Sequence, residues 1–344
     1  MLELTWQGEE SIMDNTFDYS TAFSINQGIF SPDDQEKIKN AKVTIVGVGG
    51  AGGSIAIMLA RTGVEHFTLI DFDTYSTSNL NRQIGCRVET LGRLKVDVMK
   101  EDILKINPLA EVKIISEKVP LNDFHKIVED ATVYFSEADD LAYSTDTIVR
   151  CQALGKMAIT FMPYGMGSAI MVFPPQNKVY DPTDLMGGPK GLSYDELKEF
   201  QTNEITRKGR RWHIIDGKMR ISWFRKWCKG EVGLTQLCPA VWAGAAIAAT
   251  EAIKYIIDKW EQVRAPYIWF VSLAENKIRV QKYRRRTWVF NKLMYKAFRI
   301  KRWNIGKTLE KNTMSSLSKE LDRMEAEEAD GKTPKIPFMW KYLI

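Results

Sequence analysis

Between positions 47 and 95 the chain concentrates residue types that bind phosphate. The run Gly47-Val48-Gly49-Gly50-Ala51-Gly52-Gly53 lets the backbone turn tightly and bring main-chain N–H groups and a helix dipole against an anion. Asp71 stands 19 residues after Gly52, where a carboxylate ending the second strand of such a unit reaches ribose hydroxyls. Those two features alone fit an NAD(P)-dependent oxidoreductase as well as an ATP-binding protein. Within 25 residues follow Asp73, Ser78-Asn79-Leu80-Asn81-Arg82-Gln83 and Gly92-Arg93-Leu94-Lys95. A dinucleotide pyrophosphate is held by backbone and dipole and needs no such set. A triphosphate that loses pyrophosphate does, because the Arg fork and the Lys point charge neutralise it while Asn and Gln add donors.

Strands and helices must position these groups. Ser31-Pro32-Asp33-Asp34 is a helix start, with Ser as N-cap, Pro at the first position and acids at the positive end of the dipole. The apolar run from Lys42 to Gly47 predicts a buried strand, and Ala51 to Thr62 a helix closed by Gly63. The alternation continues through strands at His66–Asp71, Glu111–Ile115, Thr132–Ser136 and Met157–Phe161 and helices at Leu91–Ile106, Asn122–Asp130 and Ala142–Leu154. Such alternation implies an α/β, Rossmann-like, doubly wound and mainly parallel sheet. Residues 175–235 break the pattern as a long insertion, with a helix at Tyr194–Ile205 and a basic stretch from Arg207 to Lys229 that holds Trp212, Trp223 and Trp227. A small-residue helix from Pro239 to Ile257 and two strands at Tyr267–Leu273 and Lys277–Tyr283 complete the core. The expected division is a tail (1–22), an ATP-binding core (23–174), the insertion (175–235), the core's completion (236–283) and a basic, helical C-terminal extension (284–344).

The 344 residues, 44% hydrophobic and 26% charged, exclude a disordered or fibrous chain. The longest apolar run, Leu237–Ala249, is 13 residues, below the roughly 18 of a spanning helix, and reads as a buried helix. An acidic N-terminal stretch, without the basic start of a secretory signal, and four scattered cysteines lead to the expectation of a cytoplasmic protein. The net charge of +5 hides an asymmetry: Asn276–Leu309 holds twelve Lys/Arg and no acid, leaving 36 basic against 43 acidic residues elsewhere.

From Gly47 to Lys95 the chain resembles the adenylation domain of the ThiF/MoeB/HesA and ubiquitin-activating-enzyme superfamily. The pattern is Gly-x-Gly-Gly-x-Gly, Asp-x-Asp, Ser-Asn-x-x-Arg-Gln, and a Lys twelve residues beyond the Gln, as Lys95 is beyond Gln83. The wording of Asn81-Arg82-Gln83, Gly92-Arg93 and Ile106-Asn107-Pro108 is similar to the branch that contains tRNA threonylcarbamoyladenosine dehydratase and bacterial ThiF-like proteins. A weaker match runs from about Phe23 to Tyr283 and includes Pro163-Tyr164-Gly165. The resemblance implies that Gly47, Gly49, Gly50 and Gly52 cradle ATP, that Asp71 holds the ribose and that Asp73 supports the pocket. It gives Asn79, Arg82, Gln83 and Lys95 to the triphosphate. It makes Asp139 the Mg²⁺ ligand, with Asp140 as the alternative. The reaction implied is attack of a carboxylate on the α-phosphorus, with Arg82, Lys95 and Asp139 as catalytic groups and no histidine taking part. The acceptor is a ubiquitin-like or sulfur-carrier protein, a peptide C-terminus or a tRNA nucleoside, and the assembly a homodimer. A second reading keeps the ATP fold as a binding or scaffold protein with weak chemistry or none; an oxidoreductase is third.

The sequence departs from that pattern at several points. Ile25 stands where the family places an Arg that reaches the γ-phosphate, and Arg207, Arg210 or Arg211 are the candidate substitutes. Paired C-x-x-C zinc ligands are missing. Cys228, Cys238 and Cys86 remain open as thioester candidates, Cys238 because a helix start lowers a thiol pKa. Arg284–Trp303 is basic and amphipathic, with Val289, Leu293 and Ala297 on one stripe, and offers three readings: docking on its own domain or a dimer mate, on an anionic membrane, or on nucleic acid.

Overall fold

Eight strands, among the residues that the computed structural model describes (17–175, 192–202, 218–282, 304–332 and 334), form one sheet in the order β3-β2-β1-β4-β5-β6-β7-β8. In chain order the elements are α1 (Tyr19–Ala22), α2 (Pro32–Lys39), β1 (Lys42–Val46), α3 (Gly50–Thr62), β2 (His66–Ile70), α4 (Lys95–Ile106), β3 (Glu111–Ile115), α5 (Phe124–Val128), β4 (Val133–Ser136), α6 (Leu141–Ala153), β5 (Met157–Tyr164) and β6 (Gly167–Phe173). They continue with α7 (Tyr194–Thr202), α8 (Ile221–Lys229), α9 (Cys238–Ile257), β7 (Tyr267–Ser272), β8 (Lys277–Lys282) and α10 (Asn304–Ala329). β1 to β5 pair in parallel, and β5 through β8 pair antiparallel. The chain leaves β1 toward β2 and β3 and returns to β4 on the other side. That reversal opens a crevice at the C-terminal ends of β1 and β4.

Local chemistry explains the boundaries. The Ser31 hydroxyl caps Asp34 N–H while the Asp34 carboxylate accepts from Ser31 N–H at 2.9 Å, and Pro32 occupies the first helical position. The helix expected from Leu91 begins at Lys95, because a 3₁₀ turn (Val88–Thr90) and the Asp73-to-Lys95 backbone bond occupy the preceding residues. β6, which alternation of strand and helix does not predict, exists because β5 runs on to Tyr164 and turns directly back at Gly165.

The sheet is covered on both faces. On one, α2, α3, α4 and α9 bury Ile38, Ile55, Leu59, Val96, Met99, Ile103, Val241, Ala245 and Ala248 against β1, β2, β4, β5 and β6. α9 is long and apolar enough by length and composition to cross a membrane, but half of that stretch is buried here, and the helix packs on α3 and on β5 and β6. On the other face, α5 and α6 cover the parallel strands, while α8 and α10 bury Ile221, Phe224, Cys228, Leu321 and Met324 with Ala169, Met171 and Phe173 of β6. The insertion and the C-terminal extension therefore share one layer. Ion pairs from Arg225 to Asp322 (2.5 Å) and Glu325 (3.0 Å) tie α8 to α10. The basic segment 284–303 lies outside the described residues.

Candidate active site

The glycine loop joins β1 to α3 at the crevice. Gly47 has φ +88°, and a Cβ there meets the Glu137 carbonyl oxygen at 2.5 Å; a Cβ on Gly52 meets the Gly47 carbonyl oxygen at 2.0 Å. Both positions exclude any side chain. With Gly49 as N-cap and α3 starting at Gly50, the first-turn N–H groups and the positive end of the helix face the crevice.

Asp71 ends β2 beside this loop. One carboxylate oxygen accepts from Val48 N–H and the other from Asp73 N–H, each at 2.9 Å, and each oxygen keeps a second lone pair. Burial raises the Asp71 pKa, opposed chiefly by the nearby Lys95 charge. Lys95, with only 8% of its side chain exposed, donates to Asp73 at 2.8 Å. Asn79 uses its carbonyl oxygen to accept from Ser76 N–H at 3.0 Å, which leaves its amide nitrogen to donate.

Arg82 and Gln83 reach the loop from the other side. A Cβ on Gly50 stands 3.4 Å from Arg82 Cγ, and one on Gly49 stands 3.4 Å from Gln83 Nε2. Gln83 is buried, and its Oε1 has no hydrogen-bond partner among the described residues. Arg82 is held by neutral acceptors alone: Nε donates to Gln236 Oε1 (3.0 Å), and Nη1 to Asn81 Oδ1 (2.8 Å) and Ser78 O (3.1 Å). Among the described residues no carboxylate pairs with it, so its charge is available to an anion. Sequence reasoning missed Gln236, whose one local signal is polarity immediately ahead of an apolar helix.

At the end of β4 the two acids separate. Asp139 is exposed. Asp140, the alternative metal ligand, is instead the N-cap of α6: it accepts from Tyr143 N–H (3.1 Å) at one oxygen and from the Tyr194 hydroxyl (2.6 Å) and Lys198 (3.1 Å) at the other, so it is committed to holding α6 and α7. These bonds pin α7 of the insertion beside the crevice. A cavity of about 320 Å³ adjoins them, lined by Lys118, Val119, Pro120, Leu121, Asn122, Tyr143 and Tyr194. Glu137, also unforeseen, turns its carboxyl into the protein and accepts from Phe161 N–H (3.1 Å). Burial raises its pKa well above the ordinary carboxylate range.

Ile25 is 91% exposed, and Arg207, Arg210 and Arg211 lie outside the described residues. Cys86 and Cys228 are buried. The expectation of a lowered Cys238 pKa is corrected: the thiol stands at the start of α9, but burial raises its pKa. The described histidines are remote from the loop: His66 faces Glu111 and His125 contacts the Asn122 carbonyl.

The ThiF family profile matches residues 22–287. The chain belongs to the ThiF family. Among curated ThiF-related proteins it is 34% identical over 143 residues to tRNA threonylcarbamoyladenosine dehydratase of Haemophilus influenzae, covering 41% of this chain and 55% of the relative. It is 31% identical over 143 residues to the sulfur carrier protein ThiS adenylyltransferase of Escherichia coli, covering 42% and 57%. The chain thus spans a little over half the length of these relatives. Escherichia coli MccB, solved with AMPCPP and MccA, superposes with a TM-score of 0.57 at 24% identity over 78% of this chain and 72% of that one. The ThiF fold expected from the Gly47–Lys95 motifs is present.

Proposed function

We propose that this ThiF-family protein binds ATP in the crevice between β1 and β4 and adenylates a carboxylate, releasing pyrophosphate. The observation that carries this reading is Arg82, a cation against the glycine loop that, among the described residues, neutral groups alone hold. Gly47, Gly49, Gly50 and Gly52 offer the phosphate cradle, and Asp71 keeps lone pairs for ribose hydroxyls. Lys95, already beside Asp73, adds a second charge on the leaving side. The acceptor carboxylate is ionised at neutral pH, so it attacks the α-phosphorus without a side-chain base; one P–O bond forms, the bond to pyrophosphate breaks, and its electrons leave with that group. Alignment and charge neutralisation supply the rate.

Mg²⁺ fits the site. Of the exposed carboxylates there, Asp73 is paired with Lys95 and Asp139 is the one to offer, and one carboxylate suits a cation that keeps waters and takes its remaining ligands from phosphates. When bound, it would offset charge on the phosphoryl oxygens.

The names of the relatives support a carboxylate on a carrier protein or on a modified tRNA nucleoside as acceptor. The homodimer is carried from the resemblance, as is membrane or nucleic-acid contact through 284–303 from that segment's charge. The test is ATP–pyrophosphate exchange with each acceptor class. Exchange stimulated by one class supports the proposal. The exposed Ile25, where the family's Arg is expected, favours a second reading in which ATP binds without chemistry; binding without exchange would establish it, and saturable NADH binding in place of ATP would return the oxidoreductase.

A further inference from the structure

Gln236 precedes α9 and is fixed at three points. Its neighbours pair with the turn between β5 and β6, Gly165 N–H donating to Thr235 O (2.7 Å) and Leu237 N–H to Gly165 O (3.0 Å). Its own carbonyl accepts from Asn81 Nδ2 (3.1 Å), and its side-chain Oε1 accepts from Arg82 Nε (3.0 Å). Asn81 Oδ1 in turn accepts from Arg82 Nη1 (2.8 Å). Asn81, Arg82 and Gln236 thus close a ring of three hydrogen bonds around the guanidinium.

A guanidinium is a planar fork, and its worth to a polyphosphate depends on where the plane lies. A carboxylate at position 236 would orient it but neutralise it. A neutral amide orients it and leaves the charge whole. The bonds of the ring occupy Nε and Nη1, and Nη2 takes part in none of them.

We propose that Gln236 is a positioning residue that aims Arg82 at the β- and γ-phosphates of ATP and couples it, through the Gly165 turn, to the end of β5. This assignment rests on the ATP-binding reading above.

The test is calorimetric titration of the full chain with Mg-ATP and with AMP. Gln236→Met, of similar length but with no hydrogen-bonding amide, is expected to weaken ATP binding about tenfold, the loss of one bond to a charged group, while AMP affinity stays within twofold. Gln236→Glu should weaken ATP at least as much, by neutralising Arg82. In an Arg82→Ala background, Gln236→Met should add nothing, because the two act through one contact. A merely structural role for Gln236, as a tether of α9 to the β5–β6 turn, predicts equal losses for ATP and AMP that add to those of Arg82→Ala. That pattern, or unchanged ATP affinity in Gln236→Met, overturns the proposal while the ATP reading stands. Failure of the unsubstituted protein to bind ATP overturns both.

Discussion

Arg82 and Lys95 are both cations at the crevice, but they meet it in different electrostatic states. Lys95 is paired with Asp73 before any ligand arrives, and Arg82 is not paired with any described acid. Arg82→Ala should therefore slow ATP–pyrophosphate exchange roughly 100-fold or more, the loss typical of one oriented donor at a charge-developing centre, and Arg82→Lys should restore little because a point charge cannot reproduce the fork. Glu137 makes a separate prediction. Its buried carboxyl is neutral over a pH range where an unfolded Glu is ionised, so the folded form holds the extra proton. Its contribution to stability is full below about pH 4.5 and is lost as pH rises toward the raised folded value. Glu137→Gln, which keeps an acceptor for Phe161 N–H, should flatten that dependence: its melting temperature should gain on the unsubstituted protein as pH is raised from 4 to 8. Neither Glu137's burial nor the partners of Asp140 could be read from Ser136-Glu137-Ala138-Asp139-Asp140, since five adjacent polar or small residues look alike until a strand end and a helix start divide them.

The glycine loop is the element whose sequence and geometry agree most closely. Gly-x-Gly-Gly-x-Gly predicts close backbone approach, and the structure places the missing Gly52 Cβ 2.0 Å from the Gly47 carbonyl oxygen. Gly52→Ala should destabilise the chain by about 1–3 kcal/mol, as overpacking does, and remove ATP binding in calorimetry. β1, β2, β3, β4, α3 and α9 were legible for the same reason: each carries its own periodicity or apolar run. β6 was not. A fully buried strand separated from β5 by a two-residue turn carries no change of period to announce it. The start of α4 was misjudged because a tertiary bond, Lys95 N–H to the Asp73 carbonyl, ends the loop at Lys95 whatever the preceding residues prefer.

At the scale of the whole molecule, the insertion and the C-terminal extension are not independent appendages. α8 and α10 close the face of the antiparallel strands that α9 leaves uncovered, with Leu321 fully buried among Ile221, Phe224 and the strands. Leu321→Ala should cost roughly 2–5 kcal/mol and lower the melting temperature of the whole chain in a single transition, because the sheet it covers is continuous with the strands that form the crevice. An unchanged main transition with early proteolysis of α10 would show the layer to be separable. The sequence alone determined the order of strands and helices around the crevice, the phosphate-binding residue types and their spacing, because these depend on interactions within a few residues. Only the tertiary structure decided that Arg82 meets Gln236 across 154 positions, that Asp140 serves α6 and Tyr194 while Asp139 stays exposed, and that α10 packs on the insertion. Those outcomes depend on which sheet edges and helix faces come together, and a linear period carries no information about that.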